Sequence, residues 1–251
     1  MKLRFLLSLG LILLFSGGLR AQYNPVVIGL SFSPGVSWIK AENNNYASEG
    51  PSFSYAYGID VDFFFSPNYA FSTGLEIQHY TGKVSYPDLY SPTGNEADLE
   101  RVHSTSTYKN IAFHIPTYMK LKTNPIGYNS FFAEFGLSFL FPFRAYETKH
   151  SIDEEGNTID QGEESNMEST NFASVNLLLG AGIELPLSGD TRFQIAFRFL
   201  NGISSISNAN TYKTDQDGNV SEDEIANGGY ANGKKQAYYL KNLSLSLILV
   251  F

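Results

Sequence analysis

Residues 242–251 read NLSLSLILVF, in which Leu243, Leu245, Leu247, Leu249 and Phe251 share one side of a period-two alternation and Ser244 and Ser246 the other. Such alternation is the signature of a strand with two chemically different faces. An apolar face ending on a bare phenylalanine needs cover, because the last residues of a water-soluble domain normally fray. The expected cover is hydrocarbon, with the leucines and Phe251 facing lipid and the serines facing an interior.

Composition points the same way. Aromatic residues make up 15% of the 251 residues and charged residues only 17%, a balance poor in charge for a domain that presents a polar surface to water. The formal charge of −8 argues against a nucleic-acid binder, which needs clustered Lys and Arg. There is no cysteine, so neither a disulfide scaffold nor a lipid-modified cysteine is expected.

At the N-terminus Lys2 and Arg4 precede the apolar run FLLSLGLILLF, followed by SGGLRA. This is the order of a secretory signal, and it predicts a signal peptide over 1–21, cleaved after Ala21, ahead of a barrel domain over 22–251. Its loss removes Lys2, Arg4 and Arg20 and no acid, leaving the mature chain more acidic. No apolar run reaches the roughly 20 residues of a membrane-spanning helix.

The rest of the chain reads as period-two segments. Leu30, Phe32, Val36 and Trp38 oppose Gly29, Ser31, Ser33, Gly35 and Ser37; Tyr55, Tyr57, Ile59, Val61 and Phe63 oppose Asp60 and Asp62; Phe71, Leu75 and Ile77 oppose Gly74, Glu76 and Gln78. IAFHIPTYMKLK, FFAEFGLSFLFPF, SVNLLLGAGIEL, TRFQIAFRFLNGI and LKNLSLSLILVF take the same alternation, which predicts eight strands. Their connections alternate between short (66–68, 123–129, 188–190) and long (about 41–51, 84–109, 147–171, 207–236). That asymmetry, with an even strand number, predicts an all-β fold: an eight-stranded antiparallel up-and-down outer-membrane β-barrel with short periplasmic turns, long external loops and both termini periplasmic. Three long loops carry Gly-Asn pairs, at Gly94, Gly156 and Gly218, suited to hairpin tips that extend strands beyond the membrane. The last two long loops hold 13 of the 25 acidic residues, so the strands should be nearly uncharged on the outside.

A soluble periplasmic ligand-binding barrel would carry Lys, Glu and Thr on its water face rather than Gly, Ser and Ala, so the small-residue face is assigned to a crowded lumen. Register then places Asp60, Asp62, Glu76, Glu134 and Glu184 inside, with His114, Lys120, Lys122, Arg192 and Arg198. Buried charges survive when paired, so the expectation is a structural ion-pair network that plugs the lumen, with Glu134 compensating Lys120 or Arg192. A structural role for this set is expected ahead of a proton or substrate path.

HIPTYMKLK, FFAEFGLSF, LLGAGIEL before a tight turn, AFRFLNGIS and a serine-leucine strand ending in Phe resemble the PorT-like outer-membrane β-barrel family of Bacteroidetes over most of 22–251. Pro116 inside a strand, Gly-x-Gly-x-Glu at Gly180, Gly182 and Glu184, and the inward Arg198 belong to that resemblance. It implies an envelope-structural, binding or secretion-accessory role, with a link to type IX secretion through the founding member. The C-terminal alternation of Leu243, Leu245, Leu247, Leu249 and Phe251 resembles the signal read by the barrel-assembly machinery. The expected partners are therefore outer-membrane lipid, that machinery during insertion, and a secretion or envelope protein.

No catalytic or metal motif stands out. His79, His103, His114 and His150 show no paired-ligand spacing, and no Gly-x-Ser-x-Gly elbow is present. The stretch KTDQDGNVSEDE imitates a calcium loop at Asp215, Asp217, Gly218 and Glu224, but Lys213 stands where the first carboxylate belongs, so a solvated hairpin tip is the better reading. No enzyme activity, cofactor or metal is expected; the rival is an outer-membrane lipid-modifying enzyme with His114 as general base.

Overall fold

The computed structural model describes residues 26–42, 45–92, 99–153, 155–208, 220 and 236–251; the expected signal peptide, Gly94, and the calcium-like stretch from Lys213 to Glu224 except Val220 lie outside the described residues. Ten strands follow one another: β1 (Val26–Ala41), β2 (Ala47–Ser48), β3 (Ser52–Ser66), β4 (Tyr69–Tyr90), β5 (Glu100–Lys122), β6 (Ser130–Asp153), β7 (Thr158–Ser165), β8 (Ser174–Ser188), β9 (Thr191–Gly202) and β10 (Tyr238–Val250). Eight of them, β1, β3, β4, β5, β6, β8, β9 and β10, pair in that order, each antiparallel to the next. The ring closes where β1 meets β10, from Gly29 opposite Val250 to Ala41 opposite Tyr238. Closure removes the unpaired edges that hydrocarbon would not tolerate. Beyond the last paired residue, the Phe251 N–H donates to the Ile28 carbonyl at 2.9 Å.

The faces follow the alternation. Leu30, Leu75 and Phe135 are 54%, 55% and 59% exposed, whereas their neighbours Ser31, Glu76 and Glu134 are 6%, 2% and 2% exposed. Exposed aliphatic and aromatic side chains thus form the outer band, and small or polar ones the interior. Pro116 lies buried within β5, although proline is normally confined to sheet edges. The β4–β5 ladder opens around it, stepping from Thr73 opposite Thr117 to Glu76 opposite His114, and the Thr73 hydroxyl donates to the Pro116 carbonyl at 3.0 Å.

Two of the long connections extend strands beyond the barrel, as the Gly-Asn pairs of the sequence suggest. Most of 84–109 is strand, because β4 and β5 stay paired out to Tyr90 opposite Glu100, and 147–171 contains the end of β6 hairpinned onto β7. Together β2, β4, β5, β6 and β7 form a sheet standing beyond the barrel. The 11 steps from His79 to Tyr90 rise about 36 Å along the strand. Gly156 takes φ of +88° at the β6–β7 tip, a conformation that glycine adopts without steric cost. A register irregularity between Ile111 and Ala112 sets them opposite Arg144 and Pro142, so one extra β6 residue bulges here. The side-chain parity flips: Pro142 is buried, Phe143 and Arg144 are exposed, and Ala145 is buried again.

Candidate functional site: the filled lumen

The inward residues of the barrel build a layered interior. Near the short turns, one side holds an apolar cluster of Val27, Phe64, Ala70, Ile248 and Val250. The other side is charged. Lys122 Nζ lies 2.5 Å from Glu184 Oε1, Arg192 Nη1 lies 3.5 Å from the same oxygen, and Gln194 donates to Glu184 Oε2 at 2.8 Å. Above them Lys120 donates to Asp62 at 2.6 Å and to Gln194 at 3.1 Å, while Ser72 donates to Asp62 at 2.5 Å. The Lys120 ammonium also lies 5.3 Å from the centre of the Phe132 ring.

Arg198 occupies the middle. Its Nε and Nη2 meet the two oxygens of Glu134 at 2.7 and 3.1 Å, the forked geometry that makes Arg–carboxylate pairs strong. Nη2 also donates to the Tyr118 hydroxyl at 2.6 Å, and the guanidinium carbon stands 5.1 Å from the centre of that ring. Nη1 approaches Glu76 at 3.6 Å and Asp60 at 3.9 Å. Glu76 is held in turn by His114 Nδ1 at 2.7 Å and by the Ser31 hydroxyl at 3.2 Å.

All ten predicted lumen residues therefore point inward, but the pairing differs in one respect: Glu134 neutralises Arg198, while Lys120 goes to Asp62 and Arg192 to Glu184. The reason is register. Glu134 opposes Gly180, and Gly180 opposes Arg198, so the two side chains meet over a residue without one. A Cβ at Gly180 would lie 2.6 Å from Glu134 Oε2. Ser31 and Ser72, on the face read as inward, complete the network with Tyr118 and Gln194; the last two were not singled out from the sequence, although they share the parity of Lys120 and Arg198.

Towards the long connections the charges give way to neutral pairs, Ser33 with Ser246 at 2.9 Å and Asn242 with Ser54 at 2.7 Å. A cavity of about 10 Å³ beside His114, Glu76 and Arg198 is about the volume one water needs. Higher still, Ile39, Tyr46, Tyr80, Val84, Tyr86, Ala112, Leu140, Ile206, Tyr238 and Leu240 form a second apolar cluster, with the Tyr46 and Tyr86 rings stacked at 5.0 Å. His114 is thus 4% exposed, lying along the barrel between the Lys120–Asp62 pair and the upper apolar cluster. Its Nε2, like both oxygens of Asp60, has no hydrogen-bond partner among the described residues. No group of three metal-ligating side chains occurs among the described residues.

Residues 20–208 match the family model described as the outer membrane protein beta-barrel domain. Solved structures similar to the chain include Ail, the attachment invasion locus protein of Yersinia pestis, at 9% identity over 91% of this chain and 100% of that one, with a TM-score of 0.32. Neisserial surface protein A follows at 7% identity, 90% and 96% coverage and a TM-score of 0.32. The translocator domain of the autotransporter NalP from Neisseria meningitidis has 11% identity, 94% and 91% coverage and a TM-score of 0.26. No curated protein matches. With three-quarters of its length matched by the family model and a closed eight-stranded antiparallel ring wearing an apolar outer face, the chain belongs to the outer membrane protein β-barrel domain family and is an integral outer-membrane protein.

Proposed function

We infer that the protein is a non-conducting membrane anchor whose work is done by the sheet that stands beyond the barrel. The observation that carries this reading is the filled lumen: a cross-barrel ion-pair network around Arg198, between two apolar clusters. An eight-stranded barrel is just wide enough for side chains to fill. Such a wall offers a rigid base rather than a path. The long sheet β2–β4–β5–β6–β7 then serves as the contact surface for an envelope or secretion partner, in the manner implied by the PorT-like resemblance. In this reading the signal peptide over 1–21 directs export, the barrel-assembly machinery inserts the chain through its last strand, the short turns and both termini face the periplasm, and no catalysis takes place.

Two measurements test the reading. Purified barrel in a planar bilayer is expected to show no steady single-channel conductance; stable open levels would return transport to the front. Protease added to intact cells is expected to cut within the β4–β5 and β6–β7 hairpins while sparing the turn at 123–129. Cleavage at that turn alone would reverse the orientation.

A further inference from the structure

The outer face of the barrel carries charge of one sign. Along the eight barrel strands the outward positions hold Lys40, Lys83, Arg101, Lys109, Arg144 and Lys241, and among the described residues no Asp or Glu shares them. The chain as a whole has 25 acidic residues against 17 Lys and Arg, so this segregation is opposite in sign to the net charge. It corrects the expectation of a nearly uncharged outside, and it arises because the strands continue past the membrane.

The register shows where the cations begin. Tyr57, Ile77, Phe113 and Phe141 form one outward row across β3, β4, β5 and β6. The next row towards the long connections is Tyr55, His79, Ile111 and Arg144; then come Thr81, Lys109 and Tyr146; then Lys83, Thr107 and Thr148. On β5 the outward positions from Leu121 to Ile111 are apolar except Thr117, and the ten steps between them rise about 25 Å along the barrel axis once strand tilt is allowed for, the height of a lipid-facing band. Lys83, Lys109 and Arg144 therefore emerge where hydrocarbon ends. An outward groove of about 850 Å³ runs over these rows, lined by Tyr55, His79, Lys83, Lys109, Tyr146 and His150 among others, with Arg144 at its flank. Its aromatic floor is ordered, since the Tyr55 and His79 rings stack at 4.4 Å. Two carboxylates reach this face from β7, and both are taken: Glu163 by Lys109 at 2.5 Å and Asp160 by His150 at 2.6 Å. Lys83 and Arg144 have no carboxylate within ion-pair distance among the described residues.

We propose that this groove binds the phosphorylated headgroup of an outer-leaflet glycolipid, with Lys83 and Arg144 on phosphate, Tyr55 and Tyr146 against the sugar, and the acyl chains on the apolar rows below. Charge complementarity selects the occupant: the outward positions of the barrel strands carry only cations at headgroup height, while the neighbouring carboxylates of Glu163, Asp160 and Glu49 are taken by Lys109, His150 and the Ser85 hydroxyl, and an anionic lipid brings both the matching charge and the hydrocarbon for the adjoining band. The bound lipid stiffens the join between barrel and protruding sheet. The assignment rests on the membrane orientation inferred above, yet its test does not, because binding is read in detergent.

The probe is diphosphorylated lipid A added to the full-length purified barrel and followed by native mass spectrometry, beside dephosphorylated lipid A of the same acylation. Wild type is expected to retain the diphosphorylated form and to lose most affinity for the dephosphorylated one. Lys83→Gln with Arg144→Gln removes two headgroup cations and is expected to weaken binding on the order of thirtyfold. Lys40→Gln with Lys241→Gln, on another side of the barrel, is expected to leave it nearly unchanged. Heat-modifiable gel migration checks that each variant is folded, and the wild-type comparison of the two lipids stands even if a variant is not. Equal retention of both lipids, an unaltered affinity in the folded double variant, equal loss in the control variant, or displacement by inorganic phosphate at lipid concentration each overturns the proposal.

Discussion

Glu134 on β6 and Arg198 on β9 close a forked ion pair at 2.7 and 3.1 Å over Gly180 of the intervening strand β8. Removing one member leaves the other charged and buried, whereas removing both does not. Glu134→Ala is therefore expected to cost about 3–5 kcal/mol in urea unfolding, and the double change Glu134→Ala with Arg198→Met clearly less. Additive losses would show that the pair does not act as a unit.

Gly180 matters for the same pair by leaving space. Gly180→Leu places side-chain atoms where Glu134 Oε2 now lies, and it is expected to destabilise about as much as Glu134→Ala does, while Gly162→Leu, at a site with nothing within 4 Å of a Cβ, should be nearly silent. Comparable gel-shift temperatures for the two leucine variants would contradict the crowded-lumen geometry.

The lipid face predicts a sharp contrast between positions. Leu75→Arg or Phe135→Arg, outward in the apolar band, is expected to cost about 2–4 kcal/mol of barrel stability. Glu155→Lys, at the exposed β6–β7 tip, should stay within about 0.5 kcal/mol. Equal tolerance at both places in folding titrations from denaturant into vesicles would mean that the outer band does not face hydrocarbon.

Phe251 is 54% exposed and contributes its backbone N–H to the β1–β10 seam. Its deletion is expected to lower the amount of heat-modifiable, assembled barrel in the outer membrane while export to the periplasm continues. Unchanged assembly after deletion would remove Phe251 from the insertion signal.

At the β6–β7 tip the Asp153 carboxylate accepts the Asn157 backbone N–H at 2.7 Å and the Asn157 side-chain amide at 2.8 Å, and these bonds hold its pKa below the ordinary aspartate value. A lowered folded pKa means that this contribution is complete above the unfolded value and vanishes as the pH falls through the folded one. The Asn157 amide resonance should therefore stay fixed down to about pH 4 and move below it. In Asp153→Asn the movement should be absent; a transition of the same size in that variant would assign it to another group.

Period-two alternation determined the strand count, the faces and the inward set from Asp60 to Arg198, because along a strand the side of each residue is fixed by parity alone. The same logic placed the leucines of residues 243–249 outside. What parity cannot supply is stagger between strands, and stagger decided the partners. Glu134 meets Arg198 rather than Lys120 because β6, β8 and β9 align Glu134, Gly180 and Arg198 in one row. The bulge at Phe143 and Arg144 reversed parity midway along β6, turning Arg144 outward and Glu147 inward to accept a hydrogen bond from Ser106, which no reading of a regular alternation foresees. The Gly-Asn tips signalled that strands extend, but how far escaped the sequence for a related reason: beyond the membrane both faces of β4, β5 and β6 can be polar, so the apolar signal that marks a strand disappears while the backbone ladder continues to Tyr90 and Glu100. The outward cationic rows lie on that continuation, and only the paired strands bring Lys83, Lys109 and Arg144 onto one surface.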